Sequence, residues 1–396
     1  MKMQTRNKNF RFAWLGTFMA GMAFSEAIPF LSLYITQLGN FTEAQVGLYT
    51  GLAYAASYIV VVVVSPLWGK IADNYGRKPM LIRTAFGMAA VISLIGCATS
   101  VWQIIILRMF QGLFDGYSPS AIALISAETP REQKTKVIAT LSTGYILGGL
   151  LGPIFGGLLG TIFSYRIIFL LTGFILLCVG IISLLGIKED FVKPVKQKHQ
   201  KKESLLSILT FNIILLLGIT MLLQLVESLI TPFISLAVSK MINDQSYLSL
   251  SAGIISALPG LATALSAAPM GTLSARHGEA KTMLIADAIL LTLYLLLGLT
   301  NSLLIFGILR LLGGICSGTL FPMAQVLLSK STDKVSTIFS LGLSAQSIGS
   351  LFGSIMGSVI MQFAPLKSLF VVAVVVLLIN LIILWSYNKR NASQTR

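Results

Sequence analysis

Four acidic residues, and Arg108 among the arginines, sit where charge is expensive. Of the 14 acids in the chain, Glu26, Asp115 and Glu227 fall well inside apolar runs, and Asp287 falls nearer the end of one. A carboxyl group in such a place can take up a proton, release it again, and pair with a cation once ionised. Competition of proton and cation for one carboxylate is the simplest exchange chemistry. It drives movement only when each ligand binds differently to two states of the protein. Glu26 lies three residues before Pro29 and Glu227 five before Pro232, so the two read as approximate mates in an internal repeat. They are the expected proton or cation sites. An arginine inside an apolar run should face the interior and hold a partner. Arg108 has Asp115 seven residues on, two turns along one helical face. That pair is the expected coupling element.

The elements that carry these groups are membrane helices. Hydrophobic residues make up 55% of the 396, and charged residues only 11%, against about 25% in soluble domains. Such a composition excludes a water-soluble globule and a disordered chain. A helix crosses the hydrocarbon core in about 20 apolar residues. Twelve segments qualify, at 12–37, 43–67, 79–98, 102–126, 136–160, 165–187, 205–238, 246–270, 282–299, 303–328, 335–362 and 366–387. The first is too long for a signal-peptide core and lacks a cleavage site, so it is expected to be retained. The runs are continuously apolar, unlike the alternating strands of a membrane barrel.

Net charge is +15. Most of the cations fall on one side of a twelve-span arrangement, in the N-terminal tail, after spans 2 and 4, in 188–204, after spans 8 and 10, and at the C-terminus. The positive-inside rule then places both termini and 188–204 in the cytoplasm. The excess reflects topology and contact with anionic lipid, not nucleic acid. Cys97, Cys178 and Cys316 are scattered through apolar runs, and His199 and His277 lie in connectors. No metal site, disulfide framework or cofactor is expected. A membrane enzyme would need a nucleophile and base or metal ligands at depth, and no span holds a histidine. No phosphate-binding G-x-x-x-x-G-K-[ST] is present for an ATP-driven pump.

The chain repeats itself. Arg108 to Gly112 matches Arg310 to Gly314 at an offset of 202, as do Gly69 with Gly271 and Gly76 with Gly278. Pro29 to Leu33 matches Pro232 to Leu236 at 203, and Gly148, Gly152 and Gly156 match Gly349, Gly353 and Gly357 at 201. Two parallel six-span bundles are therefore expected, 1–187 and 205–396, joined by a cytoplasmic linker at 188–204. Parallel repeats about an axis along the membrane normal are a transporter architecture, with substrate between the halves near the midplane.

Three motifs sharpen this. Gly69-Lys-Ile-Ala-Asp73-Asn-Tyr-Gly76-Arg77-Lys78 reads as a gate latch, in which Asp73 accepts from a helix N-terminus or pairs with Arg77. Its second-half copy has Ala275 and Glu279 at the Asp and Arg positions. Arg108-x-x-Gln111-Gly112 begins span 4. Gly148-x-x-x-Gly152-Pro153-x-x-Gly156-Gly157 occupies span 5, where small residues every fourth position let helix backbones touch and Pro153 removes a donor.

The first motif resembles the loop signature of the major facilitator superfamily, the second its fourth-span motif, and the third the antiporter motif of its drug:proton antiporters. The whole chain is similar to the twelve-span branch that includes multidrug and fluoroquinolone efflux pumps of Gram-positive bacteria. That resemblance implies the major facilitator fold, a coupling role for Arg108, and proton-driven export of hydrophobic, often cationic compounds across the cell membrane. It also implies cavity-lining positions for Glu26, Phe30, Tyr34, Tyr145, Gln224, Glu227, Phe233, Phe321, Met323 and Gln346, as drug contacts. Aromatic and methionine surfaces suit broad specificity. A carrier of one metabolite, such as a sugar, is the alternative, disfavoured by the span-5 motif. A sensor on a transporter scaffold would be expected to lose its acids. No feature demands an oligomer, so a monomer is expected.

Overall fold

The computed structural model describes residues 2–189, 209–331 and 335–394, and among them every regular element is helical. The expected linker 188–204 and the start of span 7 lie largely outside them.

In chain order the helices are α1 (Lys2–Ala27), α2 (Leu31–Thr36), α3 (Glu43–Tyr75), α4 (Lys78–Gly96), α5 (Val101–Phe114), α6 (Tyr117–Glu128), α7 (Arg131–Ile162), α8 (Tyr165–Gly186), α9 (Phe211–Ile230), α10 (Ile234–Ser239), α11 (Leu248–His277), α12 (Glu279–Leu299), α13 (Leu303–Lys330), α14 (Val335–Phe363) and α15 (Lys367–Gln394). Ten spans among the described residues are long and apolar enough to cross a bilayer. The other two expected crossings, spans 1 and 4, are interrupted. Span 1 is α1 and α2, joined by a 3-10 turn over Ile28–Phe30, and span 4 is α5 and α6, parted at Asp115 and Gly116. A polar N-terminal segment in α1 and short pieces in span 4 explain why neither stands out by length and hydropathy. Several helices run past the expected span ends, α3 to Tyr75 and α11 to His277, because helix geometry continues into the polar surface layer.

The repeat is visible in the backbone. Pro29 and Pro232 each sit in a 3-10 turn, Ile28–Phe30 and Thr231–Phe233, that bends its span. Proline has no N–H and clashes with the preceding turn, so the α-ladder resets at both places. Span 4 breaks this symmetry: Gly116 takes φ +110, while α13, its counterpart, runs unbroken.

The chain packs as two compact units. One comprises 1–40, 56–196 and 244–257, and the other 41–55, 197–243 and 258–396. The first turns of α3 thus pack with the C-terminal helices, and the first turns of α11 with the N-terminal ones.

Candidate transport site

The span-5 motif is a two-sided seam. Side chains four residues apart lie on one face of a helix, so Gly148, Gly152 and Gly156 line up on α7. A Cβ added at each would come within 2.0 Å of the Phe18 carbonyl, 2.4 Å of the Met22 carbonyl and 2.5 Å of the Glu26 carbonyl. The backbone of α1 therefore lies in a groove that only glycine permits. Pro153 and Gly157 face α11: a Cβ on Gly253 would stand 2.2 Å from the Pro153 carbonyl, and one on Gly157 would stand 2.8 Å from that of Ser249. The Tyr165 and Ser249 hydroxyls, 2.9 Å apart, close the same corner.

Glu26 ends the seam. Its side chain is fully buried. Neither carboxylate oxygen has a hydrogen-bond partner. The neighbouring Thr172 donates instead to the Ile168 carbonyl at 2.8 Å. Buried polar groups are nearly always paired, and the Glu26 carboxyl stands outside that rule.

The C-terminal seam corrects the expected pairing of acids. Cβ atoms on Gly349, Gly353 and Gly357 would meet the carbonyls of Met221, Leu225 and Leu229 at 2.3, 2.4 and 2.9 Å. Matched seam for seam, the mate of Glu26 is Leu229, not Glu227. Glu227 lies two residues earlier, about 200° around the helix. Its distance from Pro232 already differed from that of Glu26 to Pro29, and on a helix two residues exchange faces. There Glu227 is half-buried and accepts from the Ser317 hydroxyl at 3.1 Å.

In span 4, Arg108 is buried and donates to Gln111 at 2.6 Å. α5 ends at Phe114, with Asp115 as its C-cap in an extended conformation. Asp115 turns its carboxylate to its neighbour's backbone, Gly116 N–H, at 2.6 Å. Both Arg83 and Arg108 act on it electrostatically, Arg83 the more strongly. Arg83 also donates to the Asp115 carbonyl at 3.1 Å and stacks 3.6 Å from the centre of the Trp68 ring. Trp68 in turn donates to the Leu113 carbonyl at 3.0 Å. Arg83 and Trp68 thus brace the break, a role the sequence reading missed. The Asp115-Gly116 dipeptide, a strong turn signal, was the available clue.

The loop motif is latched by an unforeseen acid. Gly76 takes φ +96 and turns the chain into α4. The backbone N–H groups of Arg77 and Lys78 both donate to Glu189, at 2.9 and 2.7 Å. Lys78 Nζ donates to the Leu184 carbonyl at 2.9 Å. A carboxylate at a helix N-terminus satisfies orphan donors and the dipole together. That is the role expected of Asp73, whose side chain lies outside the described residues. Asn9 ties the same corner to α1, donating to the Lys188 carbonyl at 2.6 Å and accepting from its N–H at 3.0 Å. Gly69 faces open space. In the second copy Gly278 repeats the turn at φ +89, and Glu279 pairs with Lys330.

The expected drug contacts divide. Phe30, Tyr34, Phe233 and Met323 are buried in helix packing. Phe30 stacks on Tyr165, Tyr34 donates to carbonyls at the end of α4, Phe233 abuts Gly357, and Met323 accepts from Ser274. Tyr145 is exposed, and Gln224, Glu227, Phe321 and Gln346 are half-buried. A separate cavity of about 370 Å³, lined by Met270, Leu273, His277, Lys281, Ile285 and Cys316 among others, involves none of the expected contacts.

Many apolar helices packed on glycine seams, one of them ending at a buried acid, fit a multi-pass membrane transporter. The chain matches the profile of the Major Facilitator Superfamily in two overlapping stretches, residues 13–234 and 216–395, and it belongs to that superfamily. It is 35% identical over 388 residues to the multidrug resistance protein MdtG of Escherichia fergusonii, covering 97% of this chain and 95% of that one. MdtG of Salmonella typhimurium is equally similar, with 97% and 96% covered. Among solved structures, the nucleoside transporter NupG superposes with TM-score 0.76 at 12% identity, over 96% of this chain and 99% of that one. A bacterial homolog of the human lysosomal transporter Spinster, inward-facing and unoccupied, superposes equally well at 17% identity, over 97% of each. At such identities these two speak for the fold alone.

Proposed function

We propose that this protein exports hydrophobic, often cationic drugs in exchange for protons. The observation that carries the reading is Glu26, a fully buried carboxyl without a hydrogen-bond partner, at the end of the glycine seam of the antiporter-type motif. Similarity to the MdtG multidrug resistance proteins over nearly the whole chain supports it. Glu26 binds proton or cation, and Glu227 offers a second carboxylate in the C-terminal half. Arg108, with Asp115 and its Arg83 brace, couples protonation to the alternation of states. Gly69, Asp73, Gly76, Arg77 and Lys78 form the gate latch. Exposure favours Tyr145, Gln224, Glu227, Phe321 and Gln346 as drug contacts. The working protein is a monomer of two six-span halves, 1–187 and 205–396, in the plasma membrane among lipids, with both termini and the 188–204 linker cytoplasmic.

The test is transport by the purified protein in vesicles under an imposed pH gradient. Hydrophobic cations, fluoroquinolones, sugars and amino acids are added singly, and substrate-driven proton movement is read. Movement with several unrelated hydrophobic compounds supports the reading. A response to one polar metabolite alone replaces it with a specific carrier.

A further inference from the structure

Asp287 on α12 and Asn380 on α15 are both fully buried. Asn380 Nδ2 donates to Asp287 Oδ1 at 2.9 Å. The two remaining atoms, Asp287 Oδ2 and Asn380 Oδ1, are each buried with no hydrogen-bond partner. Among the described residues the ion pairs are Lys240 with Glu43 and Lys330 with Glu279, so none compensates Asp287. Of the titratable groups near the pair, the Cys316 thiol on α13 is acted on electrostatically by Asp287, and Tyr294, further along α12, by Glu227 of α9 and Arg310 of α13.

The pattern is that of a pair lacking one proton. An ionised carboxylate only accepts, whereas a carboxylic acid carries one O–H donor beside its accepting oxygen, and a primary amide carries two N–H donors and an accepting carbonyl. Two acceptors left facing a dry interior would cost the full desolvation of both. One proton on Asp287 Oδ2, donated to Asn380 Oδ1, closes a ring with two hydrogen bonds and removes both orphans. Turning the amide over exchanges the roles of the two carboxylate oxygens and leaves the same deficit.

We infer that Asp287 is a proton-binding site in which a neutral carboxylic acid pairs in both directions with Asn380. The ring holds this proton between two fully buried side chains, so it is resident. It fastens α12 to α15, and it sets Asp287 apart from the open carboxyl of Glu26. The inference does not rest on the transport reading.

The test is infrared spectroscopy of the full-length protein in lipid vesicles, as a difference between wild type and Asp287→Asn at neutral pH, with thermal melting alongside. The expected difference is loss of a carboxylic-acid carbonyl band that shifts on deuteration and persists across mildly acidic to mildly alkaline pH. Asp287→Asn, which keeps one donor and one acceptor, melts with wild type, and Asp287→Ala melts clearly below both. Loss of an ionised-carboxylate band instead, a carbonyl band that titrates away within that range, or Asp287→Asn melting as low as Asp287→Ala would each overturn the assignment.

Discussion

The N- and C-terminal halves use one packing device for two purposes. On α7, glycines at 148, 152 and 156 seat α1 and bring it to an end at Glu26, while on α14 the glycines at 349, 353 and 357 seat α9 and end at Leu229. The second face of each seam also differs. Pro153 and Gly157 meet Gly253 with bare backbone, whereas Ser354 and Ser358 meet Gly51, and Ser358 donates to the Leu48 carbonyl at 2.6 Å. The glycine ladder is therefore scaffold in both halves. What marks the N-terminal one is the acid at its end and a second face on which Pro153 and Gly157 meet α11 backbone to backbone. The difference teaches that a motif's spacing reports packing, and that its chemistry comes from the residue the packing delivers.

The largest expected effect separates those two ends. Glu26→Gln keeps size and insertion but cannot exchange a proton, so drug-driven proton movement in vesicles should fall to background. Leu229→Ala, at the matching place, should keep exchange and cost about 2–5 kcal/mol of stability through a cavity, seen as a lower melting temperature. Equal loss of exchange in both would make Glu26 another packing residue. Arg108→Gln should likewise abolish exchange with the protein still in the membrane. Wild-type exchange in that variant would remove Arg108 from the coupling assignment.

Smaller effects follow from the seams themselves. Gly156→Ala and Gly357→Ala each push a methyl against a carbonyl closer than 3 Å. Overpacking of this kind costs about 1–3 kcal/mol, so both should lower the melting temperature by similar amounts. Only Gly156→Ala should also change the number of protons moved per drug, because it displaces the turn that bears Glu26. If Gly357→Ala changes that ratio equally, the asymmetry between the seams is not functional.

The sequence made the helices, the repeat and the family resemblance readable, because apolar run length and a constant offset survive without any knowledge of contacts. What local pattern did not carry has a physical reason in each case. The mate of Glu26 depended on helical rotation, where a two-residue discrepancy exchanges faces. Span 4 read as one continuous apolar run, and Asp115-Gly116 divides it into two helices. Glu189 caps Arg77 and Lys78 from more than a hundred residues away, and no local pattern announces so distant a partner. Phe30 and Tyr34, which the resemblance places along the cavity, are buried, Phe30 against Tyr165 and Tyr34 at the end of α4.

The smallest predicted effect lies at the two copies of the loop motif. Glu189 accepts backbone donors at the start of α4, and loss of a helix cap costs about 0.5–2 kcal/mol. Glu279 holds Lys330, whose side chain is 60% exposed, and pairs of that kind contribute about 0–1 kcal/mol. Glu189→Ala should therefore lower the melting temperature more than Glu279→Ala. Salt should erode the Glu279 contribution more, since exposed charges are screened within about 10 Å at 0.1 M. The cap is made of short hydrogen bonds to backbone and should persist. A reversed order, or equal sensitivity to salt, would mean that the N-terminal latch is a surface ion pair like its copy.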